Sequence, residues 1–154
     1  MRVAVVVVGK PRDAGIRDAV REYETRAARY WPLDVHEVKE EPARSTPPDL
    51  VRQREGERLS ARLAPGTHVV ACDVGGESMT SERFAAWLQQ RREDGRDLGI
   101  VVGGAYGLAD GLRRRAELRL SLAPWTLPHE LARLVLAEQL YRAGTILRGE
   151  PYHK

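Results

Sequence analysis

LSLAPWTLPHE, residues 120–130, carries the chain from an apolar strand into a long helix through a short irregular loop. Leu118, Leu120 and Leu122 mark the strand end and Ala123, Pro124, Trp125 and Thr126 the loop, after which a helical pattern runs for about 20 residues. Pro128 fits only the first turn of that helix, because deeper inside its ring would block a backbone hydrogen bond. Irregular backbone at the carboxyl end of a strand is where open α/β sheets bind ligands. The chain then closes on Gly149-Glu150-Pro151-Tyr152-His153-Lys154, a polar end to an apolar helix.

Working back from that junction, strands and helices alternate. Arg2–Val8, Thr67–Asp73 and Leu98–Val102 are continuous, mostly β-branched runs of the kind that lie in a sheet covered on both faces. The second of these ends at Gly75 and Gly76. Leu33–Val38 reads as a further strand, but with Leu33, Val35 and Glu37 on one face its alternation is imperfect, and His36 reads as a solvated strand residue. Apolar residues at helical spacing predict helices over 13–30, 48–63 and 81–93, the last capped by Thr80 and packed through Phe84, Trp87 and Leu88. Arg91 and Arg92 near its end complement the helix dipole. Residues 40–48, with three prolines, read as a mobile loop. A short helix over 108–115 and a strand over 117–122 complete the series. The alternation predicts one α/β domain spanning residues 1–154, a parallel-type sheet with helices on both faces.

In the final helix Leu136, Leu140, Ala143 and Leu147 form one stripe, and Leu127, Leu131, Leu134 and Val135 add a second apolar face. A helix apolar over so much of its circumference needs cover on two sides, and in a chain this short a second subunit can supply one of them. Glu138 and Arg142 stand four apart in the order that favours a surface ion pair.

Composition bounds the chemistry. With 42% hydrophobic and 31% charged residues the 154-residue chain is that of a folded protein. The longest apolar run, Val3–Val8, is too short to cross a bilayer and lacks the features of a signal peptide, so a cytoplasmic protein is expected. One cysteine and four scattered histidines offer no metal-ligand spacing. The net charge of +3, carried mostly by arginine, is compatible with nucleic-acid binding without requiring it. The loop VGGAYGL, residues 102–108, has neither a dinucleotide fingerprint nor a Walker lysine. It reads either as a tight strand-to-helix turn or, with the strand ends at 72–76 and 122–127, as one wall of a cleft. Such a cleft suits a ligand held by backbone groups and apolar side chains rather than a triphosphate, and S-adenosylmethionine is one such ligand.

VVVVGK near the start, YETRAARYWPLDVHEVKE, IVVGGAYGL, LSLAPWTLPHELARLVLAEQLYRA and the terminal RGEPYHK together resemble the ribosomal RNA large subunit methyltransferase H family, within the SPOUT class of S-adenosylmethionine-dependent methyltransferases. The resemblance spans essentially the whole chain. It implies a SPOUT α/β knot, with the C-terminal segment threaded as a trefoil knot, and a homodimer. It implies S-adenosylmethionine contacts at Cys72, where the family often has leucine, at Gly103, and at Leu122, Ala123, Pro124, Trp125, Thr126 and Leu127. Tyr106 and Trp125 stand where the family varies. The implied activity is methylation of N3 of a pseudouridine in 23S rRNA within the assembled 70S ribosome, with no metal and no membrane. His153 is then the candidate base, Tyr152 a group that stacks on or orients the target, and Arg142 a partner for phosphate or developing charge. A nonenzymatic RNA-binding factor and a nucleotide-dependent doubly wound enzyme are the rival readings.

Overall fold

The computed structural model describes residues Met1–Lys154. Five strands, β1 (Val3–Val8), β2 (Leu33–Val38), β3 (His68–Ser78), β4 (Leu98–Val102) and β5 (Leu118–Ser121), form one sheet in the order β2-β1-β4-β3-β5. All pairings are parallel. Between them run α1 (Ala14–Ala27), α2 (Pro48–Ser60), α3 (Ser81–Glu93) and α4 (Asp110–Arg115), and α5 (His129–Leu147) follows β5, ending in a 3-10 turn at Pro151–His153.

The buried runs divide between two cores because strand side chains alternate faces. Val3, Val5 and Val7 of β1 join Leu98, Ile100 and Val102 of β4 under α1, α3 and α5, where Leu88, Leu136, Leu140 and Ala143 close the layer. Val6, Val8 and Val101 face the other way, toward Leu59 of α2 and Leu112 of α4. Helices therefore cover both faces, as expected.

Several boundaries differ from the sequence expectation, each for a local reason. β3 does not stop at Gly75 and Gly76 but runs on to Ser78, its register against β5 shifting between Cys72 and Glu77. The intervening residues bulge out, and Gly76 allows it: a Cβ there would lie 2.5 Å from the Arg119 carbonyl oxygen. Pro128 caps α5 instead of entering its first turn, its carbonyl accepting from Ala132 N at 2.9 Å. The segment after β2 is not free, since Glu41 is buried and accepts from Arg54 at 2.8 Å and Arg58 at 2.5 Å. Arg92 does more than complement a dipole, lying 4.2 Å over the Trp31 ring and donating to the Tyr30 carbonyl at 3.1 Å.

α5 ties the layers together. Trp31 Nε1 donates to the Leu140 carbonyl at 2.8 Å, and Gly144 lies so close to Tyr30 that a Cβ would fall 2.2 Å from its ring. The stripe of Leu136, Leu140 and Ala143 is thus buried inside its own protomer and is not the face left for a second subunit. On the second apolar face Leu131 is 36% exposed. Buried Arg133 pairs with Glu24 of α1 at 2.8 Å and with Glu37 of β2 at 3.2 Å. Its position explains the imperfect alternation of β2, for Glu37 points toward the covered face to meet a buried cation.

Candidate active site

The carboxyl ends of β3, β4 and β5 open into one cleft with a mainly apolar lining, the kind of place where α/β sheets hold small molecules. One wall is the bulge at Cys72, Asp73 and Val74, the second the glycine loop from Gly103 to Leu108, and the third the loop Leu122–Leu127 with His129 and Ala132 at the start of α5. The cleft lies where the sequence placed it, and its chemistry follows from the residues that the loops require.

The glycine loop is folded tightly on itself. Gly104 and Gly107 form an antiparallel bridge, and a Cβ at Gly103 would lie 2.6 Å from the Gly107 carbonyl carbon. Gly107 has φ +79°, a conformation that costs other residues energy. The fold leaves bare backbone facing the cleft. On the opposite wall Ser121 Oγ donates to the Ala123 carbonyl at 2.7 Å and holds the start of the β5–α5 loop.

Of the expected cofactor residues, Cys72, Gly103, Leu122, Ala123, Trp125, Thr126 and Leu127 line this cleft, whereas Pro124 is exposed and does not. Trp125 stands on the rim with 79% of its surface exposed. Burial pushes the Cys72 thiol up to about 12, so it acts as a small apolar group and not as a nucleophile. Asp73, unmentioned by the sequence pattern, is held at the rim by Arg113 at 3.2 Å and Arg119 at 2.7 Å. Burial pushes its carboxyl up, but the Arg119 hydrogen bond and the other favourable contacts outweigh that and leave it below its ordinary value.

Glu55 was equally invisible. It lies on α2 behind the glycine loop, 2% exposed, with Oε2 accepting from Glu41 N at 3.1 Å and Oε1 partnerless. A Cβ on Gly104 would lie 2.7 Å from that Oε1. Burial raises its carboxyl above the usual range.

Arg142, Tyr152 and His153 do not line the cleft. They gather at the other end of α5, where the Arg142 guanidinium reaches Glu138 at 2.7 Å and lies 4.9 Å over the Tyr152 ring. Tyr152 Oη donates to Glu138 at 3.1 Å, and its ring meets Tyr141 at 4.5 Å between centroids. Burial first, then the contacts to Tyr23 and Glu138, hold the Tyr152 phenol well above its ordinary value. His153 Nδ1 is buried without a partner. The Glu138–Arg142 pair is formed as its spacing predicts, but it also collects the tail.

A cleft at the ends of three parallel strands, walled by a β5–α5 loop that feeds the last long helix, leads to comparison with known proteins. A family described as predicted SPOUT methyltransferase matches residues 1–153. This chain belongs to the SPOUT methyltransferase family. Among its relatives, the ribosomal RNA large subunit methyltransferase H of Gemmatimonas aurantiaca is 65% identical over 154 residues, covering 100% of both chains. The protein of the same name from Pelobacter propionicus is 44% identical over 99% of each. A crystal structure of a probable methyltransferase from Bordetella pertussis Tohama I shares the fold at TM-score 0.56 with 16% identity, over 92% of this chain and 95% of that one. TrmJ from Z. mobilis matches at TM-score 0.52 and 18% identity, over 93% of this chain and 70% of that one. No helix of this SPOUT chain is long and apolar enough to cross a membrane.

Proposed function

We propose that this SPOUT methyltransferase uses S-adenosylmethionine to methylate N3 of a pseudouridine in 23S rRNA on the assembled ribosome, acting in the cytoplasm as a homodimer of single-domain chains. The observation that carries the reading is the cleft itself: bare glycine backbone on one wall, the Leu122–Leu127 loop on another, and a buried unpaired carboxyl oxygen behind the first. Backbone groups suit an adenine edge, the apolar lining suits the carbons around the sulfonium, and no lysine lines the cleft to meet a polyphosphate. The 65% identity to a relative named as an rRNA large subunit methyltransferase supports the substrate class. In this reading the segment after β5 is threaded as a knot around that cleft.

When bound, the cofactor supplies an electrophilic methyl carbon. The protein's own residues do the rest. The cleft walls hold donor and target nucleobase in line, which removes much of the entropic cost of reaction. The N3 proton must leave as the new bond forms, and in this reading His153, whose Nδ1 makes no hydrogen bond within its own chain, takes it. Tyr152 stays a phenol at neutral pH and therefore orients or stacks, while Arg142 offers charge to the uracil ring or a phosphate.

α5 separates the tail from its own cleft. The tail lies against Glu138 and Arg142, about 14–20 Å along the helix from His129 at the usual rise, so a tail that acts on bound substrate comes from the partner subunit. The dimer is then part of the active site. The test is incubation of ribosomes lacking the modification with protein and labelled cofactor, followed by mass mapping of the rRNA. Label on N3 of one pseudouridine is expected; label elsewhere, or none, refutes the assignment.

A further inference from the structure

Glu55 is an expensive residue to bury. Its Oε1 has no partner, and an orphaned carboxyl oxygen loses its hydration without compensation. Arg58 acts on it through its charge but makes no hydrogen bond to it. Arg54 and Arg58, one of them directly next in sequence, are both committed to Glu41. The other groups bearing on Glu55 are Glu40 from the segment after β2 and His129 at the start of α5, while β1 offers only Val8, which meets the same face of Gly104.

The position of this carboxyl is fixed. Gly56 beside it packs so tightly on the segment before α4 that a Cβ would lie 3.0 Å from Ala109 Cβ. Glu55 then rests against Gly104, whose other side lines the cleft together with His129. Only the thin glycine backbone separates the carboxyl from whatever occupies that wall. With little water between them, a charge in the cleft acts strongly on it.

We propose that Glu55 is an electrostatic selector for the charge of the methyl donor, favouring the cationic sulfonium of S-adenosylmethionine over the neutral thioether of S-adenosylhomocysteine. This rests on the cofactor reading above. Glu55 touches neither ligand and acts through the glycine loop, so it is a positioning residue. Methyl transfer converts the sulfonium to a thioether, and the countercharge that held the donor then no longer holds the product. The same carboxyl that favours loading favours release.

The sign of the pH dependence follows. Burial keeps the Glu55 proton on to higher pH when the cleft is empty, and a nearby cation favours its departure. Donor affinity therefore falls as pH falls, while product affinity changes less. Charges on Glu40 and His129 act on the same sulfonium, so the difference between wild type and Glu55→Gln is what isolates this carboxyl.

Calorimetry with S-adenosylmethionine and S-adenosylhomocysteine tests this. In wild-type protein the preference for the donor should rise as pH rises through the raised Glu55 value, with proton release on donor binding only. Glu55→Gln should weaken the donor about tenfold, as expected for one lost charge partner, leave the product unchanged and remove the proton release. An equal loss for both ligands would reduce Glu55 to a support for the loop, and an unchanged preference would dismiss it altogether. Should Glu55→Gln fail to fold, the same pH series on a His129→Asn protein, which lacks the imidazole in the cleft wall, decides: a flat preference overturns the selector. Wild-type protein that binds neither ligand would overturn the cofactor reading, and the selector with it.

Discussion

The two ends of α5 solve opposite problems. At its amino end, His129 and Ala132 face an open cleft made of glycine backbone and apolar side chains, with few side-chain hydrogen bonds to hold it. At its carboxyl end, Tyr23, Tyr141, Tyr152, Glu138 and Arg142 are locked to one another by ring contacts and shared hydrogen bonds. Tyr30, bonded to Glu150, extends that cluster. One end is open and held by backbone, and the other is a closed polar cluster of side chains. In the proposed dimer the cluster of one copy would serve the cleft of the other.

The most damaging way to break this arrangement is between the ends. Arg133→Ala strands Glu24 and Glu37 without their buried cation, and a loss of about 3–5 kcal/mol is expected, measured as a shift in the urea unfolding midpoint. Both ends should fail together. Gly103→Ala separates them: its Cβ collides with the Gly107 backbone, so cofactor affinity should fall about 100-fold by calorimetry. The near-ultraviolet dichroism of the tyrosine cluster should not change. Glu138→Gln is the mirror experiment. It releases Arg142 and Tyr152, so single-turnover methyl transfer should drop about tenfold while cofactor affinity stays the same. Equal losses in both measurements would mean that the two ends are one site within a single subunit.

The smallest effect concerns the ground beneath the cleft. Hydrogen bonds from Arg54 and Arg58 hold the Glu41 carboxyl below its ordinary value. Its contribution to stability is therefore present above the ordinary carboxylate pKa of about 4.3 and is lost as pH falls through the depressed folded value. Glu41→Gln should be less stable than wild type at neutral pH, and thermal melts of the two should converge as pH drops below about 4. Glu55, raised rather than lowered, carries the opposite sign directly beside it, its Oε2 accepting from the Glu41 N–H.

Sheet and cleft were both legible in the sequence for one reason: unbroken β-branched runs ending at glycines state a buried parallel strand and the place where its backbone turns bare. What stayed hidden was charge in the interior. REGER around Glu55 has the composition of a solvated helix face, and only the packing of Gly56 on Ala109 and of Gly104 on the carboxyl turns that face inward. Arg133 likewise sits in an apolar helix with no local signal that two acids from α1 and β2 converge on it. The β3 bulge was missed because glycines mark both strand ends and bulges. The tail residues were found only by resemblance, since their place in the cluster depends on contacts across more than a hundred positions of sequence.

Two of the three tryptophans give the molecule a built-in optical record of these two ends once Trp87, half-buried against Phe84 and Arg91, is replaced by phenylalanine. Trp31 is 1% exposed, its indole bonded to α5 and covered by Arg92, whereas Trp125 is 79% exposed at the cleft rim. Their emission should differ in colour and in access to a soluble quencher, the blue component reporting whether α5 is docked and the red component whether the cleft is occupied. A single fluorescence titration can therefore distinguish loss of the helix from loss of the ligand without any added label.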